Sequence, residues 1–329
     1  MEYQWLEQLL ANLWVTIGVV LVVLAGLIYL TKWPVPGKLL AVAQASYRET
    51  IRQPLFLLLL ILSLFFMLAQ VWIPYFTLGE DMKLMKNLQL DAIMLPMLLL
   101  SVFAAAISIS EEIEGRTATT LLSKPVSRRQ FLLGKFLGIY LAALLMGMVL
   151  TVFMGWTINY KYYYDSGFVE RPADPAEIVA AERILDFLPG GVKDAVRYVL
   201  RVCHEMRVMM PGVVMIFCQV LILTAVAVAL ATRLPMLVNL VVCLTMFILG
   251  RLAHVLKESS QGNPLVEFVA GVLQTVLPGF NYYDVGGPLA SDVYVPWVEY
   301  VFPATMHAFI YATIALLFGL ILFEDRDLA

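Results

Sequence analysis

Long apolar runs, separated by shorter polar stretches, set the pattern of this chain. A helix needs about 20 apolar residues to cross a hydrocarbon layer of about 30 Å. Seven runs reach this length, and they predict an all-α polytopic membrane protein. We call the first run the leader span and the other six the core spans. In chain order they cover Ala11–Leu30, Leu55–Phe76, Ala92–Ser110, Phe136–Ile158, Pro211–Ala231, Met236–Val255 and Ala304–Phe323.

The composition supports this class of protein. Hydrophobic residues make up 61% of the chain and charged residues only 14%, whereas a soluble domain carries about 25% charged residues. The net charge of -3 gives no basic surface, which argues against nucleic acid as a partner and leaves the lipid bilayer as the expected one. The three cysteines are far apart in the sequence, so their spacing indicates neither a disulfide framework nor a metal site.

The leader span is interpreted as a retained transmembrane helix and not as a signal peptide. Residues Met1–Gln8 contain no Lys or Arg, and no A-x-A-like cleavage site follows the apolar run. Residues 1–37 are therefore expected to form one extra N-terminal span and its linker.

The Lys and Arg residues between the runs predict the orientation. None precedes the leader span, whereas Lys32, Lys38, Arg48 and Arg52 follow it. Because cytoplasmic loops are enriched in these residues, we expect a multi-pass protein of the cell (inner) membrane with its N-terminus outside and its C-terminus in the cytoplasm. The long loop 159–210 argues the other way, because it carries seven Lys and Arg residues together with eight acidic ones.

Two further segments have helical patterns but are not expected to span. Lys38–Gln53 separates apolar and basic residues onto different faces, which predicts an amphipathic helix along the inner interface. Residues 264–278 are apolar but too short to cross, so we expect a re-entrant or interfacial segment. The predicted organisation is 1–37, 38–53, spans one to three in 54–158, an extracytoplasmic insertion in 159–210, and spans four to six in 211–329.

The loop 111–135 between core spans two and three has the pattern of a compact knob. Gly115 breaks the helix that continues from span two. Thr117–Ser123 can form a short helix, which Pro125 ends because the residue before a proline is biased away from helical geometry.

Ser127 then starts the next helix, with Gln130 at the spacing of a capping box. The tip of the knob carries Leu121 and Leu122 among charges of both signs, which suits docking to a soluble protein. The alternative is an ordinary charged loop that follows the positive-inside rule.

The stretch Glu112–Gly138, EIEGRTATTLLSKPVSRRQFLLGKFLG, resembles the signature loop of ABC transporter permeases of the type-2 export class. Lys38–Gln53 resembles the elbow helix of that family. The segments Leu277–Asn281 (LPGFN) and Phe323–Leu328 (FEDRDL) are similar as well. The resemblance covers roughly Ala41–Leu328.

This resemblance implies an exporter-like core of six helices with an interfacial elbow helix, to which the extra N-terminal span is added. It also implies that the loop forms a coupling helix, which inserts into a cleft of a separate ATPase subunit. The coupling residues implied by the resemblance are Glu114, Gly115, Arg116, Thr117, Leu121, Leu122, Pro125 and Arg128.

The sequence lacks the phosphate-binding motif of an ATP site. Phe136 follows Gly134 and Lys135, and Arg129 stands where a GxxxxGK[ST] loop needs its first glycine. We therefore expect a transport subunit and not an enzyme, with no catalytic residue, cofactor or metal on this chain. ATP and Mg are expected on the partner ATPase, and the permease is expected to form a homodimer or a heterodimer with a similar permease.

Two other classes of protein fit parts of the pattern. Glu111, Glu112 and Arg116 match the E-E-x-x-x-R pattern of intramembrane proteases of the CAAX-processing type, but the histidine motifs of those enzymes are missing. A proton- or sodium-driven transporter would place charges inside its spans. The central parts of the runs contain none, and Arg251 is expected to reach the outer interface by snorkelling.

Overall fold

The computed structural model describes residues 37–324, apart from 74, 76–79, 115–126, 166–177, 180–189, 259–265, 267, 269–270, 272–276 and 292. These residues form helices, turns and short irregular segments, and none of them lies in a strand. The leader span and most of the predicted re-entrant segment, 264–278, lie outside the described residues.

Eight α-helices account for most of the described chain. They are α1 (Lys38–Arg52), α2 (Pro54–Ala69), α3 (Asp81–Glu114), α4 (Arg128–Asp165), α5 (Gly190–Ala231), α6 (Met236–Glu258), α7 (Gly286–Ala290) and α8 (Phe302–Glu324). A 3₁₀ turn, Phe280–Tyr283, precedes α7, and a π-helical turn, Trp297–Val301, leads into α8.

Four of the described helices are long and apolar enough to cross a membrane. These segments are Asp81–Ile109, Arg128–Tyr162, Val199–Ala231 and Trp297–Phe323. The pair α1 and α2 gives a fifth if it is counted as one bent span, and α6 contributes a shorter apolar segment, Met236–Leu252. The all-α polytopic class is thus confirmed. Helix α6 covers the whole of predicted span five, Met236–Val255, whereas α2 with 16 residues is shorter than predicted span one.

The predicted core span one is shorter than its apolar run. The run extends to Phe76, but α2 ends at Ala69. The backbone then tightens, with the N–H groups of Val71 and Trp72 donating to carbonyls three residues back. The carbonyl of Val71 accepts a hydrogen bond of 2.9 Å from the ammonium of Lys161 on α4, which satisfies a backbone group that the helix has released.

A sharp bend separates α1 from α2. The two helices are inclined by 58°, and Gln53 between them is extended, with φ -64° and ψ 135°. The bend follows from Pro54, which disfavours helical geometry at the residue before it and fits well at the first position of the next helix.

The buried face of α1 packs against α4 at a glycine. A Cβ atom built on Gly138 would lie 2.6 Å from the Cβ of Ser46 and 2.9 Å from the backbone nitrogen of Tyr47. Only a residue without a side chain allows the two backbones to approach this closely. The contact holds the predicted interfacial helix on the bundle.

The predicted insertion 159–210 belongs in part to the long helices. α4 continues to Asp165, and α5 begins at Gly190, well before the predicted start of span four at Pro211. Pro211 lies inside α5 and is buried. The helix continues through it because its neighbours are packed, with Met209 and Val213 buried in the core.

Candidate functional site

One end of the bundle gathers the termini of several helices around residues 115–126. We call it the loop end; there α3 ends at Glu114 and α4 begins at Arg128. The opposite end, where α3 begins and α4 ends, is the far end. At the loop end α1 lies against α4, and the turn between α5 and α6 lies against the last turn of α8.

The capping box predicted at the start of α4 is confirmed. The Ser127 hydroxyl oxygen accepts a hydrogen bond of 3.3 Å from the backbone N–H of Gln130. The Gln130 side-chain oxygen accepts one of 3.2 Å from the backbone N–H of Ser127. Two N–H groups that a helix start leaves without partners are satisfied in this way, which fixes the point where the chain re-enters the bundle.

Arg128 ties the first turn of α4 to the last turn of α8. Its Nη1 donates a hydrogen bond of 2.9 Å to the carbonyl of Phe323, and its guanidinium lies 5.6 Å from the centre of the Phe323 ring. Phe131, one turn further along α4, packs on the same ring at 6.1 Å. The last carbonyls of a helix lack partners within the helix, so a guanidinium is favourable there.

Arg233 makes the equivalent contact from the turn between α5 and α6. Its Nε donates a hydrogen bond of 2.8 Å to the carbonyl of Leu322. Two successive carbonyls at the end of α8 are therefore held by arginines from two other elements. The sequence offered only a weak signal for this arrangement, namely that the end of any helix needs donors.

Lys135 joins three helices near the loop end. Its side chain is 4% exposed, and its Nζ lies 3.2 Å from Oε2 of Glu49 on α1. The same ammonium donates a hydrogen bond of 2.6 Å to the hydroxyl of Ser108 on α3. An ammonium buried this deeply requires such partners. Helices α3 and α4, which lie on either side of residues 115–126, are thus joined to each other and to α1.

Most of the coupling residues implied by the sequence lie outside the described residues. Those are Gly115, Arg116, Thr117, Leu121, Leu122 and Pro125. Glu114 is the last residue of α3, and Arg128 is the first residue of α4. Their role in coupling stays a prediction, to which the structure adds the contact of Arg128 with α8.

Arg251, which is expected to reach the outer interface, is paired with acidic side chains at the far end. Its guanidinium lies 3.8 Å from a carboxylate oxygen of Asp91 on α3 and 3.5 Å from one of Asp284, which precedes α7. Lys86 and Glu205 form a second ion pair at 3.3 Å between α3 and α5. The sequence patterns missed both pairs because their partners are far apart along the chain.

Aromatic residues cluster near the same end. Trp156 stacks on Tyr160 with ring centres 5.4 Å apart, and Trp72 packs edge-on against Tyr160 at 6.4 Å. The Tyr75 hydroxyl donates to the carbonyl of Gln70. Burial and the nearby carboxylate of Asp81 raise the pKa of Tyr75 to about 12, so its hydroxyl stays protonated and can donate. Such amphipathic rings are typical of a membrane interface.

The described histidines do not complete a protease site with Glu111 and Glu112. His307 lies in the first turns of α8 at the far end, with its Nδ1 2.7 Å from the Tyr283 hydroxyl. His204 lies in the first half of α5, beside Arg207. Both glutamates belong to the last turn of α3 at the loop end, whereas His307 in the first turns of α8 and His254 near the end of α6 belong to helix ends at the far end.

Comparison with models of protein families identifies a match over most of the chain. A family model described as ABC-2 family transporter protein matches residues 40–328, from the first turn of α1 to beyond the end of α8. No curated protein matches the chain.

Proposed function

Because the chain belongs to the ABC-2 family of transporter proteins, we propose that this multi-pass permease is the exporting subunit of an ATP-binding cassette transporter. Family membership implies an ABC ATPase subunit as its partner. In this proposal the partner binds ATP and Mg, and the permease converts the movement of the ATPase into movement of cargo.

The observation that carries the proposal is the junction at Lys135. A coupling loop must transmit a displacement, which requires that the helices on both sides of it move together. The ammonium of Lys135 connects α4 to Ser108 of α3 and to Glu49 of α1 at hydrogen-bond distances. Because α3 and α4 both continue to the far end, a displacement of residues 115–126 would reach the opposite side of the bundle through two rigid elements.

A second connection extends the movement to α8. Arg128 and Arg233 hold the carbonyls of Phe323 and Leu322. A push on the start of α4 would therefore act on the end of α8 as well. In this way one docking point would act on α1, α3, α4 and α8.

The docking contact itself is assigned to the loop. Leu121 and Leu122 would enter an apolar cleft on the ATPase, with Arg116 and Glu114 at its charged rim. Gly115 and Pro125 would delimit the docking helix, and Thr117 would begin it. Two permeases, identical or similar, would pair with two ATPase subunits.

In this proposal the protein lies in the cell (inner) membrane, and its loop end faces the cytoplasm. Described Lys and Arg residues at or near this end are Lys38, Arg48, Arg52, Arg128, Arg129, Lys135 and Arg233. Lys and Arg residues lie toward the far end as well, and two of them, Lys86 and Arg251, form ion pairs with acidic side chains. The proposed N-terminus-outside orientation rests on the Lys and Arg residues that follow the leader span, because cytoplasmic loops are enriched in these residues.

Co-purification tests the proposal. The tagged permease is expressed with a candidate ABC ATPase, such as one encoded beside it, and is purified in detergent. The expected result is a complex whose ATPase activity differs from that of the free ATPase subunit. An ATPase that binds the wild-type permease and a Leu121→Glu/Leu122→Glu variant equally well would overturn the assignment of the loop.

A further inference from the structure

An apolar cleft opens between α4, α5 and α8. Its cavity has a volume of about 440 Å³, within the range of about 300–1,000 Å³ that is typical of ligand sites. The lining residues are Tyr140, Leu144, Met148, Thr151, Val152, Met206, Met210, Val213, Val214, Phe217, Cys218, Leu221, Thr305 and Phe309. None of them carries a charge.

The cleft has a buried floor and an open rim. Met206, Val213 and Leu221 of α5 are buried and form the floor. Val152 on α4 is 47% exposed, and Phe309 on α8 is 53% exposed. The cleft therefore opens sideways between α4 and α8, on the surface that these spans turn away from the bundle.

The polar side chains in the lining already use their donors within the protein. The Tyr140 hydroxyl donates to the carbonyl of Phe217 at 3.2 Å, and the Thr151 hydroxyl donates to the carbonyl of Gly147 at 2.7 Å. The Thr305 hydroxyl donates to the backbone of its own helix at 2.7 Å, and the thiol of Cys218 points to the Thr305 oxygen at 3.8 Å. A polar guest would find no donor that is not already engaged.

Water is a poor occupant for the same reason. A buried water molecule needs two to four polar partners, and cavities lined by apolar groups stay dry. Three methionines, Met148, Met206 and Met210, line the cleft, and their flexible thioether side chains adapt to irregular apolar guests. The chemistry of the lining therefore selects a flexible hydrocarbon.

The cleft lies at a depth in the spans where the acyl chains of the bilayer can provide that hydrocarbon. On α4 the lining runs from Tyr140 to Val152, within the spanning segment Arg128–Tyr162. On α5 it runs from Met206 to Leu221, within Val199–Ala231. These positions lie at the depth of the acyl chains in a bilayer.

We propose that this cleft is a binding site for one acyl chain of a bilayer lipid, which enters sideways between α4 and α8. The site does not depend on the proposed coupling to an ATPase. Failure of one proposal therefore leaves the other unaffected.

Photolabelling tests the site. The full-length protein is reconstituted in phosphatidylcholine vesicles that contain a small fraction of phosphatidylcholine with a diazirine in its acyl chain. After irradiation, labelled peptides are quantified by mass spectrometry. Labelling on the α5 floor, at Met206, Val213 and Leu221, is expected to exceed labelling on the exposed face of α6 around Val241, because a bound chain stays near the floor for longer.

Variants in which a tryptophan side chain fills the cleft provide a second test. Val214→Trp and, separately, Leu144→Trp should reduce floor labelling to the level on the face of α6. Val241→Trp, a matched change at a lipid-facing position that is 59% exposed, should leave floor labelling as in the wild type. Two filling variants are used so that a folding defect in one, seen by gel filtration, does not remove the test.

Several results would overturn the proposal. One is floor labelling in the wild type that does not exceed labelling on α6. Another is equal floor labelling in folded filled variants. A third is floor labelling that arises only after deletion of residues 1–36, since the leader span and not a lipid would then occupy the cleft.

Discussion

The ammonium of Lys135 on α4 and the carboxylate of Glu49 on α1 lie 3.2 Å apart, in a contact that joins the first described helix to the bundle. Lys135 is almost fully buried, whereas the Glu49 side chain is 41% exposed. The two partners therefore differ in what their loss should cost. Removal of Glu49 takes away the carboxylate that faces a buried ammonium from α1.

Lys135 and Glu49 should be energetically coupled. We expect Glu49→Gln and Lys135→Met each to lower the thermal midpoint of the detergent-solubilised protein, and the double variant to lower it by less than the sum. Solvent at Glu49 screens the pair, so the coupling is expected to be about 1 kcal/mol or less. Strict additivity in the double-mutant cycle would show that the pair contributes nothing beyond its single residues.

Arg128 should hold the end of α8 in place. Replacement by alanine removes a hydrogen bond to the carbonyl of Phe323 and a contact with its ring. We expect faster hydrogen–deuterium exchange at residues 320–324 and a loss of about 1 kcal/mol in local stability. Arg233→Ala is the matched comparison, and because its contact is exposed, its effect should be smaller. Unchanged exchange in Arg128→Ala would contradict this role.

The loop variants should separate insertion from coupling. Gly115→Pro and the pair Leu121→Glu/Leu122→Glu are expected to leave the permease in the membrane while ATP hydrolysis by the partner no longer drives transport. The control is Lys83→Gln, an exposed charge change at the far end. Membrane fractionation, ATPase assays and export from proteoliposomes measure the three properties. Normal transport by both loop variants would remove the loop from the mechanism.

Gly138 should tolerate no side chain. In Gly138→Ala the added methyl group would meet the backbone and side chains of α1, so α1 must move away from α4. Overpacking of this kind costs about 1–3 kcal/mol. Gly287→Ala is the control, because a Cβ at Gly287 meets nothing within 4 Å. Thermal unfolding in detergent should show a lower midpoint for Gly138→Ala alone, and equal midpoints for both variants would refute the close contact.

Local patterns predicted local structure well. The apolar runs located the long helices, and the spacing of Ser127 and Gln130 predicted a capping box that is present. Both patterns involve residues that are close in the sequence. The geometry of a helix alone determines which of such residues come into contact. The family resemblance, also read from one continuous stretch, agrees with the match over residues 40–328.

Contacts between distant segments could not be read in this way. The sequence pattern did not indicate the partners of Arg251, because Asp91 and Asp284 lie in other elements. The polar residues at 159–210 suggested a loop, yet α5 begins at Gly190, and Glu205 within it pairs with Lys86 on α3. A charged residue fits into a packed helix when a partner of opposite charge lies beside it. That partner can be identified only from the folded structure.

The junction at Lys135 also bears on how the protein is made. Lys135 follows Glu49 by 86 residues, and Gly138, which receives the buried face of α1, comes later still. While the ribosome is still synthesising α2 and α3, α1 therefore has no α4 to pack against. A chain that stalls before α4 would expose Ala43 and Tyr47, which are buried in the completed protein, so the exposure of this face of α1 distinguishes an unfinished chain from a finished one.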